Sequence, residues 1–314
     1  MGVFGARLYS GDFAMDLRST IGAVARLPFD VHRMVQVLAD TEPSAANDPN
    51  NEDHTTFWLV VADQFAKRSI ADDVVRNKAL AIIDTGEDIA MLEKLGIKDV
   101  DLRKRGKVLD EVRARILEAP QSNKHRVVLK KPQPLLMGIG DVLIYPTCDG
   151  KNINPYYRSK GLNVRYTKDG PLPWRQNGWG AMVIIDCGRA FEFLSWYRPL
   201  TIAPATSEEP SLDSLRGERP WKYRLPGTCS ASHFRKMELK KIGSFEIDLT
   251  KRIFVFPMLS PGVSPAVKDI SIANSMSAVS PVPLSEITKP GEATKGRSPI
   301  ILGIDQILAP SEES

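Results

Sequence analysis

The chain has 314 residues, 42% of them hydrophobic and 25% charged, with a formal net charge of +4. That length accommodates two domains and a tail, and the composition is typical of a soluble globular protein. No apolar run approaches the roughly 18 to 20 residues of a membrane span, and no basic-then-apolar leader opens the sequence, so no membrane contact and a cytoplasmic location are expected.

After an apolar, glycine-punctuated entry, a helix is predicted from about Asp12, with Phe13, Leu17, Ile21 and Val24 on one face and Ser10 or Asp12 as its cap. Pro28 and Asp30 start a second helix, striped by Val31, Met34, Val35 and Leu38 and ended by Pro43. The polar segment 42–54, rich in Asn, Asp and Pro, reads as a loop. The stretch 57–71, FWLVVADQFAKRSIA, organises this half: positions 57, 58, 61, 62 and 65 fall at helical spacing and 59 and 60 widen the stripe. Such a helix is buried on most sides. Asp53, Thr55 or Thr56 suits its start, and Lys67 and Arg68 suit the carbonyl end of its dipole. Asp72 then caps a segment striped by Val75, Ala79, Ile82 and Ile83 and stopped by Gly86. A short helix from Glu87 to Leu95 and a longer one from about Asp101 to Glu118, with Leu102, Leu109, Val112 and Ile116 inward, complete a helical bundle over 1–120. The charges of Arg103, Lys104, Arg105 and Lys107 read as the wet face of that last helix.

Residues 121–132 are basic, polar and proline-bearing, which suits a linker. Beyond them the apolar period changes to two. Segments 140–146, 181–186 and 190–196 read as strands, the last two joined as a hairpin through Asp186-Cys187-Gly188-Arg189, with further strands at 221–225 and 237–242. Segments 149–178 and 201–220 read as long excursions from the sheet, where binding surfaces are usually built. The predicted class is α+β, an N-terminal helical bundle followed by a small antiparallel β-rich domain over 133–257. A loosely ordered Pro- and Ser-rich tail is expected over 258–314, with the apolar patch Ile300-Ile301-Leu302-Gly303-Ile304 free to dock on the body or on a partner. Charge is uneven along the chain, with 16 basic against 20 acidic residues in 1–120 and 12 against 5 in 121–202. The basic middle favours an acidic partner.

The opening Met1-Gly2-Val3-Phe4-Gly5 and the run from Leu8 to Asp16, together with Phe57-Trp58-Leu59, Ala62-Asp63, Lys78-Ala79-Leu80 and the run from Ile82 to Asp88, resemble an uncharacterised bacterial family. Its members begin Met-Gly-x-Trp-Gly, and Phe4 stands here at the tryptophan position. The resemblance spans about 1–118 and implies a fold but no catalytic residues. Gly140-Asp141-Val142, Ile144-Tyr145-Pro146 and Asp149-Gly150 resemble, over about 136–256, small β-rich immunity proteins of bacterial toxin systems. That second resemblance implies an interaction function.

Cys148, Cys187 and Cys229 are odd in number and widely spaced, which fits reduced thiols rather than a disulfide framework. Cys229 and His233 are the nearest approach to a hydrolase-like nucleophile and base, on what reads as a loop. Asp12 and Asp16, one helical turn apart, read as a cap and a solvated acid. No phosphate loop, dinucleotide fingerprint, zinc motif or nucleophile elbow occurs, so no metal, cofactor or catalytic residue is assigned. The better candidate is the basic, aromatic-interleaved set Lys151, Tyr156, Tyr157, Arg158, Lys160, Arg165, Tyr166, Lys168, Trp174 and Arg175. Cations and rings of this kind suit phosphates and bases, and equally an acidic protein surface. The expectation is a non-enzymatic protein-interaction protein with an acidic protein partner, in a toxin-neutralising or defence setting; nucleic-acid binding by the 151–175 loops and a Cys229/His233 hydrolase are the alternatives.

Overall fold

The computed structural model describes residues 6–119, 126–153, 158–159, 162–167, 170–202, 206–224, 226–256, 271–275 and 300–310. The chain divides into two compact units, Met1–Lys131 and Pro132–Ser314. Helices dominate the first and an antiparallel, curled sheet the second, so the class is α+β as the change of apolar period predicts. Among the described residues no helix is long and apolar enough to cross a membrane.

In the first unit the helices are α1 (Asp12–Val24), α2 (Val31–Thr41), α3 (Pro43–Asn47), α4 (His54–Lys67), α5 (Asp73–Thr85), α6 (Glu87–Lys94) and α7 (Asp99–Glu118). The centre is α4, in which all nine residues from Phe57 to Phe65 are buried. Its neighbours turn one stripe towards the interior: Leu17, Ile21 and Val24 from α1, Val75, Ala79 and Ile82 from α5, and Leu109, Val112 and Ile116 from α7. Three predicted start and stop signals act as read. The Asp30 carboxylate accepts the Arg33 amide at 2.7 Å and the Asp72 carboxylate the Val75 amide at 2.8 Å. Gly86 closes α5 at φ 76°, a conformation costly for a residue with a Cβ.

Four local readings change. Segment 42–54 is not all loop, because Pro43 opens α3, whose Ala45 and Ala46 are buried. On α2 the buried face is Met34, Val37, Leu38 and Thr41, leaving Val31 and Val35 half-buried. Gly11, not Ser10 or Asp12, holds the cap position of α1, and Asp53 precedes α4 without its carboxylate accepting a cap bond. Arg105 is not on the wet face of α7: it is 4% exposed and belongs to the same stripe as Leu109, Val112 and Ile116. Past α7 the chain returns to the α1–α2 turn, where Leu129 donates its amide to the Arg26 carbonyl at 2.8 Å and the Arg126 guanidinium donates to the Ala25 and Phe29 carbonyls.

The second unit contains β1 (Asp141–Cys148), β2 (Lys151–Asn152), β3 (Arg158–Ser159), β4 (Leu162–Thr167), β5 (Gly170–Pro173), β6 (Gly178–Ala190), β7 (Leu194–Ile202), β8 (Pro220–Tyr223), β9 (Gly227–Thr228), α8 (Ala231–Lys236), β10 (Lys240–Ser244), α9 (Leu249–Val255), β11 (Ser271–Ser275) and β12 (Ile300–Leu302). The main sheet runs β10-β1-β6-β7-β8-β12, with β2 on β1, and β9 between β7 and a parallel β11. Both faces of its centre are buried. Val142, Ile144, Val183 and Ile185 join Trp221, Phe256, Ile304 and Ile307 on one side, while Leu143, Tyr145, Met182 and Ile184 join Tyr197, Met237 and Leu239 on the other. Such strands read as continuous apolar runs rather than clean alternation.

The β6–β7 hairpin turns at Phe191–Phe193, not at Asp186–Arg189. Asp186 to Arg189 stay in β6, paired through to Arg198 and Ser195. Phe191 and Glu192 take φ of 51° and 65°, the paired left-handed geometry that tight hairpins need, without the usual Asn-Gly to mark it. Gly188 serves a different purpose: a Cβ there would sit 2.9 Å from the Trp196 ring carbon Cζ2, so the glycine makes room for its cross-strand partner. The predicted strand 237–242 begins only at Lys240, because Glu238 takes φ 55° and breaks the extended run. The patch at 300–304 docks on the body: β12 pairs with β8, and Ile301, Ile304, Ile307 and Leu308 are buried. Residues 258–270, 276–299 and 311–314 of the predicted tail lie outside the described residues.

Trp58 of α4 is 4% exposed, meets the Phe57 ring edge-on at 5.1 Å, donates Nε1–H to the Ala46 carbonyl at 3.2 Å, and carries the Lys78 ammonium 3.9 Å above its ring. Trp58→Ala is expected to destabilise the helical unit by roughly 3–5 kcal/mol. Urea unfolding followed by far-ultraviolet dichroism checks this, and a midpoint equal to wild type would show that α4 is not the centre.

Candidate functional site

The basic, aromatic segment forms a sheet of its own. Strands β3, β4 and β5 pair as a three-stranded antiparallel sheet in which Arg158 pairs with Asn163, Arg165 with Leu172 and Tyr166 with Pro171. Gly170 at φ 113° and the prolines of β5 limit its regularity. Lys151 is exposed on β2, Arg175 is exposed just beyond β5, and Trp174 is half-buried with its Nε1–H enclosed. Leu172 is 44% exposed. Tyr156, Tyr157, Lys160 and Lys168 lie outside the described residues. Of the ten candidate residues the structure therefore places Arg158, Arg165 and Tyr166 on one small sheet, and Lys151, Trp174 and Arg175 on the segments that flank it.

Cys229 and His233 are not loop residues in an open site. Ser230 caps α8, its hydroxyl accepting the His233 amide at 3.2 Å, so His233 stands in the first turn of a helix. Cys229 is 1% exposed and packs with Tyr145, Tyr197 and Met237. Burial pushes its thiol up to about 12, away from the thiolate that a nucleophile requires. Burial, and then the charge of Lys236, lower His233. Cys148 is buried and Cys187 half-buried, and all three thiols are free. Among the described residues no group of three His, Cys, Asp or Glu side chains is placed to hold a metal ion. Asp12 and Asp16 are both exposed on α1.

The charged residues that periodicity reading passed over are interior ones. Asp63 on α4 is fully buried and receives hydrogen bonds from the Tyr9 hydroxyl, the Lys67 ammonium at 2.6 Å and the Arg115 guanidinium. Burial alone would raise this carboxyl, but Lys67, Tyr9 and Arg115 more than reverse it and hold it below the usual value. Asp88 on α6, also fully buried, takes the Arg105 fork through Nε at 2.8 Å and Nη2 at 3.0 Å and the Thr55 hydroxyl at 3.2 Å. In the second unit Asp186 faces Arg252 at 3.7 Å and Arg198 at 3.8 Å. There burial wins and the carboxyl is raised in spite of both cations. Each pair joins residues of different elements across a core.

At pH 7.5 the folded protein is expected to leave Cys229 unmodified by iodoacetamide, and urea is expected to make it reactive. Peptide mapping reads the site of alkylation, and rapid native labelling of Cys229 would contradict the burial argument. Comparison with protein-family models, with curated proteins and with solved structures finds no match to this chain.

Proposed function

We propose that this chain is a non-enzymatic binding protein whose second unit docks an acidic protein partner through the β3–β4–β5 sheet and the flanking Lys151, Trp174 and Arg175. The observation that carries the reading is the separation of this basic segment from the main sheet, as a three-stranded sheet of its own. The exposed Leu172 and Arg175 and the half-buried Trp174, close together in sequence, suit an interface, where aromatic residues and Arg anchor affinity and rim charges set the association rate. The resemblance of 136–256 to immunity proteins of toxin systems supports the same reading and suggests a toxin-neutralising or defence role. The buried, protonated Cys229 argues against the hydrolase alternative.

A protein partner and a nucleic acid separate by salt. Against single-stranded oligonucleotides, binding is expected to be weak and without sequence preference. Its affinity should fall by several powers of ten between low and physiological salt, as counterion release from several phosphates requires. A partner recovered with the tagged full chain from lysate is expected to survive a physiological-salt wash and to be lost with Arg158, Arg165 and Arg175 all changed to Glu. Oligonucleotide binding that stays tight at physiological salt, and disappears on replacing Tyr156, Tyr157 and Tyr166 in a folded protein, would install the nucleic-acid reading instead.

A further inference from the structure

The Asp63 network of the first unit carries more positive charge than its carboxylate balances. Four cations on or beside α1, α4 and α7 gather around the hydrogen bond between Tyr9 and Asp63. Lys67 and Arg115 both donate to Asp63, yet their side chains are still 41% and 36% exposed. Arg18 is exposed on α1 with its guanidinium 5.2 Å from the centre of the Tyr9 ring, and the Lys67 ammonium lies 5.1 Å from the same centre. Arg68, half-buried at the end of α4, donates to uncharged groups, the backbone carbonyl of Gln64 at 3.2 Å and its side-chain oxygen. It reaches α1, since a Cβ at Gly22, one turn beyond Arg18, would stand 3.5 Å from the Arg68 guanidinium.

Two of these cations answer to Asp63, and two rest on an uncharged ring or amide. Four against one carboxylate leaves an excess of three. Tyr9 does not offset it, because burial and then the bond to Asp63 raise its phenol and keep it neutral. The excess runs against the composition of this half, where 16 basic residues stand against 20 acidic ones over 1–120. Residues 1–5 and 120–125, outside the described residues, contain no Asp or Glu that could balance it. Burial, with Arg18 adding its repulsion, holds Arg68 below its usual value in spite of Tyr9 and Asp63, so a bound anion would relieve it.

Guanidinium and ammonium hydrogens in this number suit phosphoryl oxygens, which accept charge-assisted hydrogen bonds and match the arginine fork. One phosphoryl group carries roughly 1.5 to 2 negative charges at neutral pH, which falls short of three. Two linked phosphoryl groups meet it. The cations gather about one ring rather than along a groove, which suits a compact anion and not the backbone of a nucleic acid. We propose that Arg18, Lys67, Arg68 and Arg115 form a surface site for a diphosphate group, either a free anion or the end of a nucleotide. Asp63 and Gln64, both buried, already hold three of the four side chains, so binding has little left to order. This inference concerns the first unit and does not depend on the partner reading for the second.

The test titrates the full chain at physiological salt with inorganic pyrophosphate, inorganic phosphate and ADP, read by calorimetry. Saturable binding of pyrophosphate is expected, with inorganic phosphate at least tenfold weaker. ADP that binds more tightly than pyrophosphate assigns the diphosphate to a nucleotide, and ADP that binds no more tightly assigns it to a free anion. Arg18→Gln, at an exposed residue, and Arg115→Gln are each expected to weaken pyrophosphate at least tenfold. Arg158→Gln combined with Arg165→Gln, in the second unit, is expected to leave it unchanged. The comparison of pyrophosphate with phosphate on unmodified protein stands even if Arg115→Gln folds poorly. No saturable binding of pyrophosphate at millimolar concentration, equal binding of inorganic phosphate, affinity unchanged in folded Arg18→Gln, or loss of binding in the second-unit variant would each overturn the proposal.

Discussion

A carboxylate at the middle of the most buried helix is the constraint on which the first unit depends. With Phe57 to Phe65 of α4 all buried, α4 has no wet face to give Asp63, and an unpaired charge there would cost far more than the helix gains from its packing. The surrounding elements are accordingly tied to that one group: Tyr9 from the entry segment, Lys67 one turn along α4, and Arg115 from α7. Gln64 extends the network to Tyr9 and to Arg68, and the Arg18 guanidinium lies 5.2 Å from the Tyr9 ring centre. A second carboxylate, Asp88, fastens α6 to α7 and α4 through Arg105 and Thr55. Such pairs add less stability than well-packed apolar groups would, but losing one partner is costly, so they fix which helix faces which.

The second unit solves a different problem. Its central strands are covered on both sides, and every residue of β1 and β7 is buried. The β3–β4–β5 sheet stands apart from that packing as a sheet of its own, in the basic middle of the sequence. The C-terminal strand β12 is drawn into the main sheet because Ile301, Ile304 and Ile307 complete the face that Trp221 and Phe256 begin. Asp186 shows the cost of charge in this core, its carboxyl raised where Asp63 is lowered, because its two arginines stand 3.7 and 3.8 Å away rather than in direct hydrogen bonds.

Periodicity was enough to find α4, α5 and α7, whose apolar stripes are long and whose ends carry Asp72 and Gly86. It failed where one residue type has two uses. Gly188 reads as a turn and is a gap for the Trp196 ring, while Phe191 and Glu192 make the turn without any of its usual residues. Arg105 reads as solvent-facing by type, although its spacing to Leu109, Val112 and Ile116 puts it inside. Sequence pattern marks burial along one element, and it is blind to pairings made between elements.

The carboxylate claim is tested most directly by urea unfolding of wild type and Asp63→Asn between pH 3 and pH 7. The Asp63 carboxyl is lower in the folded state than the ordinary value of about 3.9, so its stabilisation is fully present above that value and is lost as pH falls through the folded value. The account predicts that wild type exceeds the variant by about 2 kcal/mol at pH 7, the scale of hydrogen bonds to a charged group, and that the gap narrows below about pH 4. A variant as stable as wild type at pH 7, or a gap that does not change with pH, would contradict it.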